Sequence, residues 1–135
     1  MNLEKLTLSD KALEALSYVI VTATEGGVYT REDFKKWTTY KHGDTDKGFR
    51  AEVTVVPHDD VVEGVDSTPV RITPEELGRR LWSKLPTLVT NQNCACNAVQ
   101  VVRLLAGDED VAGEMDVVDS GAALQVAVYG EIVFG

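Results

Sequence analysis

Apolar residues recur at Leu13, Leu16, Ile20 and Ala23 behind the pair Ser9-Asp10. This helical spacing behind a capping residue predicts a first helix over about residues 9–24. Gly26-Gly27 follows, and a left-handed glycine is expected to close it. The period then changes. Phe49, Ala51, Val53 and Val55 alternate with Arg50, Glu52 and Thr54, and Phe34–His42 is rich in aromatics and threonine, so both stretches predict antiparallel strands. The polar, glycine-bracketed run His42–Gly48 is expected to be the hairpin loop between them, Asp59–Ser67 a long acidic loop, and Pro69–Thr73 a short third strand.

Helical patterning returns at Thr73-Pro74-Glu75-Glu76, a capping threonine, a first-turn proline and a glutamate placed to complete a capping box. That helix should present Leu77, Leu81 and Leu85 on one face and stop at Pro86. Asn93 predicts the cap of a third helix through about Ala106, with Val99, Val102, Leu105 and Ala106 facing inward and Gly107 ending it. Asp108–Asp119 is expected as a loop, with Asp119-Ser120 opening the helix that follows. The segment Ala122–Phe134 is apolar nearly all round and is expected to be the last and most buried helix. Strands gathered at 34–73 ahead of helices at 74–134 predict an α+β fold, a small antiparallel sheet packed against helices with the C-terminal helix buried, in a single domain over 1–135.

Composition adds constraints. The chain has 135 residues, 44% hydrophobic and 26% charged, enough to bury a core without disulfides or metal. Its net charge of −9 is uneven, because residues 85–135 set seven acids against Arg103 alone. Such acidity disfavours non-specific nucleic-acid binding. Glu4, Lys5 and Asp10 interrupt any signal-like core, and Gln125 and Glu131 break the longest apolar tract, so the expected protein is cytoplasmic and does not enter a membrane. Cys94 and Cys96 sit too close in sequence for a comfortable structural disulfide and are expected as thiols.

Candidate chemistry is sparse. Lys35-Lys36-Trp37 and Tyr40-Lys41-His42 interleave bases with aromatics, and with Arg50 across the hairpin they nominate Trp37, Tyr40, Lys41 and Arg50 as a site that stacks and neutralises a ligand. An ordinary solvated strand carries the same pattern. Glu25 and Glu131 are nominated as partly buried functional carboxylates. Cys94-x-Cys96 with His42 or His58 offers metal-ligand types, but a second ligand pair is missing, so neither a metal nor another cofactor is expected. The sequence shows no phosphate-cradling glycine loop, His-Glu-x-x-His or Gly-x-Ser-x-Gly, which favours a non-enzyme.

"EGGVYT" at Glu25–Thr30, "ITPEEL" at Ile72–Leu77 and the terminal "LQVAVYGEIVFG" occur in an order and spacing that resemble an uncharacterised family of small acidic proteins of actinobacteria and their phages. Glu25, Gly26, Gly27 and Tyr29 match its first motif and Gln125, Gly130, Glu131 and Gly135 its last, while Thr30 replaces a tryptophan and Gly121 an aspartate. The resemblance implies a context, and in a phage-encoded case the host cytoplasm, without implying chemistry. Three functions are therefore expected to compete. One is a non-catalytic protein that binds and modulates a host or phage protein. The second is a nucleotide or small-ligand sequestering protein built on Trp37, Tyr40, Lys41 and Arg50. The third is an acidic DNA mimic using Asp108, Glu109, Asp110, Glu114, Asp116 and Asp119. A protein partner is the main expectation, and a homo-oligomer stays open.

Overall fold

A computed structural model gives the fold, and it describes residues 7–26, 31–90 and 96–134. The element order is α1 (Asp10–Glu25), β1 (Lys36–Thr45), β2 (Gly48–Val56), β3 (Val70–Ile72), α2 (Pro74–Ser83), α3 (Leu85–Thr90), α4 (Ala98–Leu105), α5 (Glu109–Glu114) and α6 (Val117–Tyr129), with a 3-10 turn at Arg31–Asp33 before β1. The three strands form an antiparallel sheet in the order β1-β2-β3, so β2 is central. The expected α+β class and buried last helix are both found.

The first helix is where its cap puts it. Ser9 accepts a hydrogen bond from the Ala12 amide at 3.1 Å, and Ala12, Ala15, Leu16, Val19, Ile20 and Ala23 are fully buried on the face it turns inward. That face rests on Ala51, Val53 and Val55 of β2, and α5, α2 and α6 pack around the rest of the helix. Gly26 closes α1 in a right-handed conformation, φ −78°, and not the expected left-handed one. Its lack of a side chain matters for space instead, since a Cβ would collide with Val117 and with the Thr22 carbonyl. Gly27 lies outside the described residues.

Several boundaries move. The hairpin is tighter than the expected His42–Gly48 loop: pairing continues to Thr45 opposite Gly48, leaving Asp46-Lys47 as the turn. Thr73 caps α2 through the Glu76 amide at 3.1 Å, but the capping box is not completed, because the Glu76 carboxylate turns to Arg79 and Arg80. Pro86 does not end the helical region. It falls in the first turn of α3, where a missing N–H costs nothing, and the break between the helices comes two residues earlier at Lys84. Asn97, not Asn93, caps α4, in a reciprocal box with Gln100 at 2.9 and 3.2 Å; Asn93 lies outside the described residues. The later start turns the helix so that Val101 and Leu104 face the core, while Val99, Val102 and Ala106, expected inside, are exposed and Leu105 is half-buried. The acidic 108–119 stretch is helical over Glu109–Glu114 and, from Val117, opens α6. Asp119 is the third residue of that last helix, in a box whose cap is Asp116.

Every residue of α6 from Ser120 to Tyr129 is buried. The helix ends at Gly130, φ +83°, a left-handed turn that a Cβ would strain, so Glu131–Phe134 reverse direction instead of extending the helix as expected. Gln125, 3% exposed, holds this return. Its Oε1 accepts the Val133 and Phe134 amides at 2.8 Å each, while Nε2 donates to the Phe134 carbonyl at 3.1 Å and to Asp33 Oδ2 at 3.0 Å. One side chain thus satisfies three backbone groups of an irregular segment that has no strand to pair with. Replacing it by leucine keeps the volume but strands those groups and a buried carboxylate. Gln125→Leu is expected to lower unfolding free energy by about 3 kcal/mol in urea denaturation.

Candidate functional site

The two faces of β1 decide where its side chains go. Trp37 pairs opposite Val55 and Thr38 opposite Thr54, but Lys41 is the next residue in register, opposite Glu52, so Thr39 and Tyr40 together face Val53 in a bulge. Thr39 takes the left-handed conformation at φ 50°. Beyond the bulge the alternation is reset. Trp37 therefore points to the core side, edge-on to Phe34 with ring centres 5.1 Å apart, while Lys41 stands with Arg50 and Glu52 on the opposite face. Uninterrupted alternation would have put Trp37 and Lys41 on one side.

On that outer face a cleft of about 400 Å³ runs from Lys41–Thr45 of β1 across Arg50 and Glu52 to Arg71 of β3 and the start of α2 at Thr73-Pro74-Glu75. Arg71 grips Glu52 with two bonds, Nε to Oε2 at 2.7 Å and Nη2 to Oε1 at 3.0 Å, and this guanidinium holds the Glu52 carboxyl below its usual range. Arg50 reaches Asp10 at the head of α1, Nη2 to Oδ1 at 3.0 Å, and also donates to the Phe49 carbonyl at 2.9 Å. Lys41 is exposed and makes no ion pair among the described residues. The cleft can oppose an anionic group with Lys41, but its lining includes no phenylalanine, tyrosine or tryptophan.

The four nominated residues thus divide. Lys41 and Arg50 share the cleft, now with Arg71, whereas Trp37 and Tyr40 lie elsewhere. Tyr40 donates its hydroxyl to Glu25, and burial together with that carboxylate pushes the phenol up. His42 lies 3.8 Å from the same Glu25 oxygen. Neither nominated carboxylate is buried. Glu25 ends α1 with 53% of its side chain exposed, and Glu131 sits in solvent because Gly130 terminates the helix before it.

The buried carboxylate is Asp33, 4% exposed, in a polar knot that sequence reasoning passed over. It accepts from Gln125, and its own carbonyl accepts the Tyr129 hydroxyl at 2.6 Å. That hydroxyl in turn accepts the His58 amide at 3.0 Å, and His58 Nε2 lies 3.0 Å from the Glu32 carbonyl. Phe34 stacks on Tyr129 at 5.3 Å, and Phe134 tilts against both Tyr129 and His58. Burial raises the Asp33 carboxyl to about 6, with Glu32 adding to the rise and Gln125 and His58 opposing it. The available signal was Gln125, a lone amide in an apolar helix.

Cys96 is buried, Cys94 lies outside the described residues, and no group of three or more His, Cys, Asp or Glu suited to a metal occurs among the described residues. No helix among them is long and apolar enough to cross a membrane. Of the six acids at 108–119, Asp108 and Glu114 are taken up by Arg103 at 2.8 and 3.1 Å, and Asp116 and Asp119 by their capping box. Comparisons with protein-family models, with curated proteins and with solved structures return no match.

The knot makes stability depend on pH. An acid whose carboxyl titrates higher folded than unfolded binds its proton more tightly in the native state, so its contribution is complete below about 4 and is lost as pH rises through about 6. Asp33→Asn keeps an acceptor for Gln125 and removes the titration. The stability difference between wild type and variant, from urea unfolding at pH 4 to 8, is expected to change by on the order of 2 kcal/mol, with the variant ahead at pH 8. Parallel profiles would show that Asp33 does not titrate there.

Proposed function

We propose that the protein is a non-catalytic binding protein that docks on another protein and modulates it, a host or phage protein in the phage context, working in the cytoplasm. One observation carries this reading. Helix α1 covers β2, whose Ala51, Val53 and Val55 are buried, but β1 overhangs the helical layer, with eight of its ten residues exposed and Trp37 and Tyr40 half-buried. Its far edge is unpaired among the described residues. An uncovered strand of this length offers a partner both faces and a row of backbone groups.

Lys41 projects from the exposed half of that strand, so charge reversal there tests the docking. Immobilised wild type is expected to capture a protein saturably from an actinobacterial lysate, and Lys41→Glu to shift the half-saturation of that capture at least about tenfold with an unchanged melt. Capture identical for wild type and variant would remove β1 from the interface, and capture that never saturates would remove the binding function.

A second reading rests on the cleft. Lys41 is the cleft cation without an ion pair among the described residues, since Arg50 is bound to Asp10 and Arg71 to Glu52, and it would oppose one phosphate or carboxylate beside the Asp44, Glu52 and Glu75 side chains of the same lining, which restricts this reading to a small anion more than a nucleotide, with Trp37 and Tyr40 outside the cleft. A ligand that binds only the native state raises the melting temperature by mass action. Phosphate, nucleotides and dicarboxylates at millimolar levels are expected to shift the wild-type melt by a few degrees and leave Lys41→Ala unmoved. A flat panel would end the small-ligand reading. Acidic DNA mimicry draws the least support, because only Glu109 and Asp110 of its six acids keep carboxylates without a salt bridge or capping hydrogen bond among the described residues.

A further inference from the structure

On its core side the overhang of β1 is not bare. Tyr40 and His42 of β1, Phe49 of β2 and Tyr18 of α1 form a continuous row of rings: Tyr40 to His42 at 5.1 Å, His42 to Phe49 at 6.1 Å, and Phe49 to Tyr18 at 4.9 Å, the last pair parallel to within 6°. Tyr18 is 39% exposed and the His42 side chain 48%. Carboxylates line the row. Glu14 accepts the Tyr18 hydroxyl at 3.3 Å and Glu25 accepts that of Tyr40; burial raises the Tyr18 phenol, and the charges of Glu14, Glu109 and Asp44 add to the rise. Arg50, next to Phe49, is already bound to Asp10 and the Phe49 carbonyl.

We propose that this ring-and-carboxylate strip is the docking surface for arginine side chains on a basic segment of the partner protein. The inference rests on the binding function above and gives it a partner chemistry. Ring faces carry negative potential and attract a guanidinium, which also stacks flat and reaches a neighbouring carboxylate with its fork of donors. Arginine therefore suits the strip better than lysine, whose compact ammonium cannot do both. Phosphate-bearing ligands would meet Glu14, Glu25, Asp44 and Glu109, so the rings are not a platform for nucleic acid bases. The overall charge of −9 draws a basic segment in from a distance.

The probes are blocked hexa-arginine and hexa-lysine peptides, titrated calorimetrically into the full chain at two salt concentrations. Hexa-arginine is expected to bind wild type at least about fivefold tighter than hexa-lysine. Glu14→Gln/Glu25→Gln should weaken hexa-arginine about tenfold, and Tyr18→Leu/Phe49→Leu, which keeps apolar volume against the core, should abolish the preference for arginine over lysine. Asp59→Asn/Asp60→Asn removes the same charge from an exposed loop away from the strip and should change affinity less than about twofold. Equal weakening in that control would mean general acidity only and overturn the proposal, as would leucine variants that still prefer arginine. A dimer seen by sedimentation and lost in Glu14→Gln/Glu25→Gln would assign the strip to a second copy, also against it. Lysate capture that survives Glu14→Gln/Glu25→Gln but fails in Lys41→Glu would reject the strip while leaving the binding function standing.

Discussion

The four hydrogen bonds of Gln125 are the constraint on which the rest of the arrangement leans. A helix as apolar as α6 is held in place by burial, which is strong but indifferent to direction. Gln125 supplies the direction. By taking the Val133 and Phe134 amides and giving its own protons to Phe134 and Asp33, it fixes the return of the chain after Gly130 and the entry of the chain into β1 with one amide. Phe34 and Phe134 then have defined places around Tyr129, and Trp37 has an edge to pack on. Losing the amide would loosen two segments separated by most of the sequence.

Around that fixed point α1 acts as the hub. Its buried face meets β2, and α2, α5 and α6 cover its other sides, so one helix is spent on a central strand and the edge strand goes uncovered. Arg80 ties α2 to α6 through the Ala127 carbonyl at 3.1 Å, which completes a layer with no further helix available for β1. The exposed strand is thus a result of how few elements there are to pack, and the cleft and the ring row are the two sides of it.

Local chemistry was readable in the sequence wherever one side chain acted on nearby backbone. Ser9 and Thr73-Pro74 announced α1 and α2 within a residue, and the alternation at 49–55 announced β2. Caps competing within one segment were not separable: Asn93 and Asn97 look alike until packing chooses, as do Asp116 and Asp119. The nominated site failed for a different reason. Its four residues were grouped because bases and aromatics interleave along one strand, a pattern that does not say which face each side chain takes, and no glycine or asparagine at position 39 warned of the bulge. Glu131 was assigned to a helix interior because the apolar run continues past Gly130, although hydrophobicity there serves a returning segment and not another turn. Asp33 carried no signal of its own, since its burial depends on Gln125 far along the chain.

The bulge at Thr39-Tyr40 makes β1 two short strands in opposite phase joined end to end. Residues before it answer to the core through Trp37, and residues after it divide by face, His42 into the ring row with Tyr40 and Phe49 and Lys41 to solvent. A change at Lys41 therefore stays on the outer face, while one at His42 reaches Phe49 and, through it, Tyr18 of α1. The outer-face charge can be altered without touching the packing that holds Trp37.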